Sequence, residues 1–296
     1  MRRAPTILVA IDPKKRPEDP LALGVRLARL ASAPLEVVTI FLEAPLLPED
    51  AAMRTLREDA EADLGNDLRD LLGDVDGLAA VHARVLAAAS PARALQQLTE
   101  DPEVGVVVIG STTRGPVRRT LPGSIADRLL SGGASPVAVA PHGFADAAPP
   151  SLATLGVAYD GSAEAQAALA GARRLARKAG ARLRVITVHQ RLAFGHVSAS
   201  ALRREPVNAR LEREARRRMD DAVAAAADVN AEGDFRVGRP VDVLVECSRD
   251  LDLLMAGSRG YGPLGAVLLG STTHDLARLA CCPLLITPRG RGLTIV

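Results

Sequence analysis

The chain contains no tryptophan, two tyrosines and four phenylalanines among its 296 residues. Binding platforms for single-stranded nucleic acids stack bases on aromatic side chains, so this composition argues against that class of function. An excess of positive charge is missing too, because 37 lysines and arginines are balanced by 35 aspartates and glutamates. A net charge of +2 exerts no general attraction on polyanions. We therefore expect no nucleic-acid partner.

Cysteines and long apolar runs are also scarce. Cys247, Cys281 and Cys282 cannot make a disulfide framework, which is typical of a reduced compartment. Cys281 and Cys282 precede an apolar run, and we expect both to be buried, inert thiols. The apolar run before Asp12 is too short for the core of a signal peptide or for a membrane span. We expect a cytoplasmic protein that does not enter a membrane.

The sequence consists of two similar copies of one unit. GSTTRGPVRRTLPGS (110–124) aligns with GSRGYGPLGAVLLGS (257–271), 147 residues later. TILVAID (6–12) aligns with TLGVAYD (154–160), and LARLASAPLEVVTIF (27–41) aligns with LARKAGARLRVITVH (175–189). Solenoid repeats have periods of about 20–50 residues, so the longer period here indicates a tandem duplication of a whole domain.

Each copy alternates short apolar runs with longer stretches of helical period. Runs such as LEVVTI, VVVI and RVITV suit strands that are buried on both faces, as in a parallel sheet covered by helices. The pattern predicts an α/β protein with two tandem flavodoxin-like or Rossmann-like domains, each a five-stranded parallel sheet with helices on both faces. We place the domains at 1–145 and 151–296, joined by the Pro- and Ala-rich segment 142–151.

A glycine-rich turn in the second copy is the candidate site. After the fourth predicted strand come Gly257, Gly260 and Gly262, and Gly270-Ser271 opens a helix. Glycines bring backbone N–H groups close to an anion, and a helix N-terminus favours phosphate. The turn lacks the lysine of a P-loop, and it does not follow the first strand as a dinucleotide fingerprint does. The glycines alone are equally compatible with a structural turn.

The spacing Gly-x2-Gly-x9-Gly-Ser, with a strand-terminal aspartate about 100 residues upstream and a Cys-Pro before the last strand, resembles the universal stress protein family. The resemblance covers nearly the whole chain and implies ATP, with or without Mg²⁺, in an intact copy. By position, Asp160 would bond the adenosine moiety at its ribose. The resemblance further implies that Ala158 and Val188 line the adenine slot and that the phosphates lie among Gly257, Gly260, Gly270, Ser271 and Thr273. Arg259 lies in the same turn, where it either adds positive charge or is an ordinary solvated arginine.

The first copy departs from this pattern. Thr113 stands where the second copy has Gly260, and a β-branched side chain there is poorly suited to a positive φ. Asp12 is followed by Pro-Lys-Lys-Arg in place of Gly161-Ser162. We therefore expect domain 1–145 to carry a degenerate nucleotide site and domain 151–296 to carry the intact one.

Other chemistry finds little support in the residue spacing. The five histidines show no metal-ligand spacing with the cysteines or with one another, and no metal site is assigned. We expect His189 to be a surface residue at a strand end. Glutamates alternate with the arginines of the basic segment 203–218, and we interpret this segment as a solvated helix face.

The sequence thus favours an ATP-binding universal stress-type protein that acts as a stress-linked regulator or sensor. We expect the nucleotide in the C-terminal domain, a homodimer by family resemblance, and an unidentified protein partner. A nucleotide-independent interaction or scaffold protein is the alternative, in which both turns are structural. A slow ATPase ranks third, because the sequence shows no positioned general base.

Overall fold

The structure is a computed structural model. It describes residues 5–42 except 14, scattered residues between 54 and 70, and residues 78, 80–111, 125–147, 151–191, 201–258 and 271–295 except 289. In the N-terminal half the elements are β1 (Thr6–Ile11), α1 (Glu18–Ala31), β2 (Leu35–Leu42), β3 (Val81–Ala88), α2 (Pro91–Glu100), β4 (Val104–Gly110), α3 (Ile125–Gly132), β5 (Val137–Ala140) and α4 (Phe144–Ala147).

The C-terminal half repeats this order. Its elements are β6 (Thr154–Ala158), α5 (Ala163–Ala179), β7 (Arg182–His189), α6 (Ala201–Ala225), β8 (Ala231–Val237), α7 (Pro240–Cys247), a 3-10 turn (Ser248–Asp250), β9 (Leu253–Gly257), α8 (Ser271–Leu279) and β10 (Leu284–Thr287). None of the helices in the described ranges combines the length and the apolar character needed to cross a bilayer.

All ten strands belong to one sheet in the order β3-β2-β1-β4-β5-β10-β9-β6-β7-β8. Within each half the paired strands are parallel, and the strand order is that of a Rossmann-type half rather than that of flavodoxin. The predicted fold class is confirmed. In each half the order reverses beside the first strand, so the C-terminal switch point lies between β6 and β9.

The sheet is buried on both faces, as its apolar runs predict. Residues 104–109 of β4 and residues 253–256 of β9 are all buried. One face packs under α1, α5 and α6, where Leu27, Leu175 and Met219 belong to one apolar cluster. The other face packs under α2, α3, α7 and α8 around a second cluster. Burial of aliphatic side chains on both faces is therefore the main stabilising contribution to each half.

The two halves join edge to edge through β5 and β10. These strands pair antiparallel, with Leu285 opposite Ala138. The C-terminal tail continues the joint, because the Arg291 guanidinium donates to carbonyl oxygens of Thr99, Pro102 and Val104 at 3.3 to 3.4 Å. Side chains and backbone groups from both halves thus form one continuous sheet and core.

The segment between the halves is more ordered than its composition suggests. We predicted residues 142–151 to be a linker without regular structure, but α4 occupies part of it. The buried carboxylate of Asp19 accepts from the Gly143 N–H at 2.9 Å and from the Ala145 N–H at 2.8 Å. A carboxylate that accepts from the first turn of a helix fixes where that helix begins.

Candidate functional site

The candidate site lies at the carboxyl ends of β6 and β9, where the strand order of the C-terminal half reverses. Loops that leave two such strands turn to opposite faces of the sheet, and the crevice between them is the usual ligand site of an open α/β sheet. Two helices of the C-terminal half, α5 and α8, begin beside this crevice. Their free N–H groups and helix dipoles favour negative charge there.

The turn that follows β6 is fixed by three consecutive residues. Asp160 accepts from the Ser162 N–H through Oδ1 at 3.0 Å, Gly161 has a φ of +81°, and the Ser162 hydroxyl accepts from the Ala165 N–H at 3.2 Å. Glycine suits the positive φ, and serine is a preferred residue at a helix N-cap. The sequence Asp-Gly-Ser therefore ends the strand, reverses the chain and starts α5.

The ends of β6 and β7 are held together by two hydrogen bonds. The Tyr159 N–H donates to the Ile186 carbonyl at 2.8 Å, and the Thr187 hydroxyl donates to the Tyr159 carbonyl at 2.9 Å. Thr187 is 4% exposed. These bonds align the strand ends that carry Asp160 and Val188, and both residues line one cavity.

A cavity of about 230 Å³ opens at these strand ends. Its wall combines the ends of β6 and β7 with one side of α6, and its residues are Tyr159, Asp160, Thr187, Val188, His189, Gln190, Leu211, Ala215 and Arg218. The α6 helix covers the cavity through Leu211 and Ala215. The Arg218 side chain crosses the turn, since a Cβ on Gly161 would lie 2.8 Å from its Cδ.

On the β9 side of the crevice, Gly257 permits a close approach of helix to strand. A Cβ built on Gly257 would lie 2.7 Å from the backbone carbon of Glu164 in α5. The Thr273 hydroxyl of α8 donates to the Gly257 carbonyl at 3.2 Å, and Thr273 is buried. The N-termini of both helices therefore lie close to the end of β9, and that of α8 is also hydrogen-bonded to it.

The structure brings the predicted site residues together in two groups. Asp160 and Val188 line the cavity, whereas Gly257 and Thr273 meet at the end of β9 with exposed Ser271 at the start of α8. Ala158 does not line the cavity and packs against the apolar cluster of the opposite face. Arg259, Gly260 and Gly270 lie outside the described residues.

The corresponding turn of the N-terminal half has a different form. Asp12 is paired with the Lys15 ammonium. Pro13 aligns with Gly161, and proline cannot adopt the positive φ that Gly161 has. Helix α1 begins at Glu18, although Lys15 aligns with Ala163, the first residue of α5. Thr113, which we predicted to obstruct the first site, lies outside the described residues.

Two expectations about single residues are wrong. His189 is 8% exposed rather than a surface residue, because it shares a strand face with Val185 and Thr187 and lies beneath α6. Cys281 is exposed, whereas Cys282 is buried and its burial raises the pKa of the thiol to about 12. Only one of the two adjacent thiols therefore fits the inert, buried description.

Sequence reasoning missed the contribution of α6 to the cavity. Two arginines at exposed positions of this helix pair with glutamates one turn away, with Arg210 donating to Glu214 at 2.9 Å and Arg216 donating to Glu212 at 3.1 Å. The hydrogen bond from Arg210 lowers the pKa of the Glu214 carboxyl. Less polar residues at helical spacing, Leu211, Ala215, Met219 and Ala222, mark the inner side and could have indicated it.

The described residues include no group of three His, Cys, Asp or Glu side chains that could hold a metal ion.

The comparisons with known proteins agree with this architecture. The sequence profile of the Universal stress protein family matches the chain twice, at residues 4–141 and 153–288. A universal stress protein of Thermus aquaticus is 31% identical over 135 residues, which is 45% of this chain and 96% of that protein. A universal stress protein of Mycolicibacterium smegmatis is 25% identical over 294 residues, which is 95% of this chain and 96% of that protein.

Among solved structures, a universal stress protein from Archaeoglobus fulgidus superposes with a TM-score of 0.68 at 21% identity, covering 98% of this chain and all of that one. This likeness concerns the fold. Because the family profile accounts for both halves, with a ten-stranded sheet built from two equivalent units, the chain belongs to the universal stress protein family as a tandem, two-domain member.

Proposed function

We propose that the protein binds ATP, with Mg²⁺, in its C-terminal half and acts as a stress-linked regulator or sensor. The observation that carries the proposal is the cavity at the carboxyl ends of β6 and β7, next to the switch point, which is lined by both Asp160 and Val188. Ligand cavities commonly measure roughly 300–1,000 Å³, so about 230 Å³ suits a base with its ribose rather than a whole nucleoside triphosphate. The triphosphate would then extend along the crevice toward β9.

The β9 side of the crevice supports a phosphate site. Helices α5 and α8 both begin there, and Ser271 is exposed at the first position of α8. The Thr273 hydroxyl donates its proton to the Gly257 carbonyl, and so fastens the first turn of α8 to the strand end. Two helix N-termini at one point favour an anion more strongly than one. Arg259, Gly260 and Gly270 complete this proposed phosphate site.

The N-terminal half supports a proposal of one nucleotide per chain. Lys15 neutralises Asp12, the aspartate that corresponds to Asp160, and α1 begins later than α5 does. The domain boundaries 1–145 and 151–296 therefore separate a proposed degenerate site from a proposed functional one.

Helix α6 would link nucleotide binding to regulation. A nucleotide base in the cavity would contact Leu211 and Ala215, whose helix carries exposed arginines on its outer side. Ligand binding would thereby stabilise one position of α6 and of the surface that it presents to a protein partner. A ligand shifts such an equilibrium only by its difference in affinity for the two positions. We place this regulation in a cytoplasmic homodimer.

The test is isothermal titration calorimetry with Mg-ATP on protein freed of bound nucleotide. Asp160→Asn keeps an oxygen for the Ser162 N–H and removes the negative charge. A hydrogen bond to a charged group contributes about 1.5–3 kcal/mol, so we expect affinity to fall at least about tenfold.

Asp12→Asn is the matched control, since it makes the same chemical change at the equivalent turn of the other half. We expect it to bind Mg-ATP as the unmodified protein does. Equal loss in both variants, or no binding by the unmodified protein, would contradict the proposal.

A further inference from the structure

Arg218 brings a positive charge into the wall of the cavity from the covering helix α6. It lines the cavity together with Asp160 and Val188, which lie at the ends of β6 and β7. Its side chain is 55% exposed, which leaves it accessible to a ligand. Leu211 and Ala215, the other residues that α6 contributes to this wall, are apolar. Arg218 is therefore the charged group that the covering helix presents to the cavity.

The stem of this arginine lies over the turn that starts α5. A Cβ on Gly161 would be 2.8 Å from Arg218 Cδ and 3.8 Å from its Nε. Gly161 directly precedes Ser162, the residue that caps α5. One turn of this helix also reaches the end of β9, since a Cβ on Gly257 would lie 2.7 Å from the backbone of Glu164. A ligand that extends from the cavity toward β9 would therefore pass close to Arg218.

The guanidinium group of Arg218 keeps its hydrogen-bond donors available for such a ligand. Its Nη2 atom is 3.7 Å from Glu214 Oε2, which is beyond hydrogen-bond distance, while Glu214 Oε1 accepts from Arg210 at 2.9 Å. Asp160 lines the same cavity, but one of its oxygens already accepts from the Ser162 N–H. A guanidinium group has five N–H donors, so Arg218 can bind an anion without giving up its contact with Glu214.

The surroundings of Arg218 favour a phosphate group as that anion. The adjacent N-terminus of α5 attracts negative charge through its free N–H groups and its dipole. The planar fork of an arginine matches two oxygens of one phosphate, which gives a charge-assisted and directional contact.

We propose that Arg218 binds a phosphate group of the nucleotide and so ties α6 to the charged part of the ligand. This inference rests on the proposed function and adds a phosphate contact from outside the glycine-rich turn.

The experiment compares Mg-ATP with adenosine in the unmodified protein and in Arg218→Met, by calorimetry for Mg-ATP and by ligand-observed NMR for adenosine. Methionine keeps an unbranched side chain over Gly161 and removes the charge. We expect Arg218→Met to bind Mg-ATP about tenfold more weakly and adenosine as the unmodified protein does. Arg218→Lys keeps the charge but loses the fork, so it should recover part of the affinity for Mg-ATP.

Arg217→Met is the matched control, because Arg217 is an exposed neighbour on the same helix that does not line the cavity. It removes the same charge, and we expect it to change the affinity for Mg-ATP by less than about twofold. A series of NaCl concentrations gives a second readout, which decides the matter if adenosine binds too weakly to measure. The affinity for Mg-ATP should fall less steeply with salt in Arg218→Met than in the unmodified protein and in Arg217→Met.

The outcomes separate this inference from the function on which it rests. If the unmodified protein does not bind Mg-ATP, the proposed function fails, and the role of Arg218 fails with it. If Mg-ATP binds and Arg218→Met loses no more affinity than Arg217→Met, only the role of Arg218 is overturned. Equal weakening of Mg-ATP and adenosine, or a salt dependence that Arg218→Met leaves unchanged, would show a structural role and would also overturn it.

Discussion

At the scale of single residues, Asp234 of β8 forms a largely buried ion pair with Arg184 of β7. Its carboxylate accepts from the Arg184 guanidinium at 2.7 Å and from Arg236 at 2.6 Å, and the side chains of Asp234 and Arg184 are each 14% exposed. Burial by itself would raise the pKa of Asp234, but the hydrogen bonds from Arg236 and Arg184 outweigh it and hold the pKa below its ordinary value. Folding therefore favours the ionised form of the Asp234 carboxyl group.

This lowered pKa predicts how stability depends on pH. A carboxylate whose pKa is depressed in the folded state stabilises the fold above its unfolded pKa of about 3.9, and this contribution is lost as the pH falls through the folded pKa. We expect Asp234→Asn to lower the free energy of unfolding at pH 7 by about 1–3 kcal/mol. The difference from the unmodified protein should shrink below about pH 4, as measured by urea denaturation.

Asp242→Asn is a suitable control for this measurement. Asp242 pairs with Arg239 at 3.4 Å, but its side chain is 62% exposed. An exposed pair of this kind contributes about 0.5 kcal/mol or less. An effect of Asp234→Asn no larger than that of Asp242→Asn, or one that does not change with pH, would contradict our interpretation.

Individual site residues were predictable from sequence where a repeat or a turn motif isolates them. Asp160 is such a residue, because it ends a strand and precedes a glycine that needs a positive φ. The burial of His189 was not predictable, because it depends on where α6 lies. A histidine at a strand end does not by itself indicate that a helix packs over it. Gly257 was identified, but its contact with Glu164 shows that helix packing alone already excludes a side chain there.

At the scale of elements, proline and the helix caps explain why the two halves differ. Ser162 caps α5 through its hydroxyl, whereas Pro17 precedes α1 and offers no side-chain cap. Pro13 and Pro17 are evident in the sequence, and the later start of α1 could be predicted from them. The strands were also predictable, since aliphatic runs of this length fit a sheet buried on both faces. Helix α6 was predictable as a helix, and the spacing of Leu211, Ala215 and Met219 marks its inner side, but the sequence does not say that this side covers the cavity.

At the scale of the whole molecule, the joint between the halves depends on a glycine that the second copy lacks. Gly105 of β4 aligns with Asp252, and the tail residue Ile295 fills the space beside it. A Cβ on Gly105 would lie 2.4 Å from Ile295 Cγ2 and 2.8 Å from Pro5 Cβ. The two copies therefore differ at the position where β4 of the N-terminal half packs against the C-terminal tail.

This contact predicts a coupling between two substitutions. Gly105→Ala should lower the free energy of unfolding by about 1–3 kcal/mol through overpacking. Ile295→Ala should lower it by about 2–4 kcal/mol, because Ile295 is 4% exposed. In the double variant the smaller side chain makes room for the added methyl group, so the losses should fall short of additivity by at least about 0.5 kcal/mol in urea denaturation.

Gly292→Ala is the matched control for this cycle, since a Cβ at Gly292 would meet no atom within 4 Å. We expect it to change stability by less than about 0.5 kcal/mol. Strict additivity of Gly105→Ala and Ile295→Ala would show that the tail does not pack against β4 in the way described.

The central claim is that one of the two equivalent halves binds ATP. The most direct measurement is the number of Mg-ATP molecules bound per chain, by calorimetry on nucleotide-free protein, together with the variant Gly260→Thr that copies Thr113 of the N-terminal half. We predict one site per chain in the unmodified protein and none in the variant. Two sites per chain, no site, or one site that survives Gly260→Thr would contradict this account.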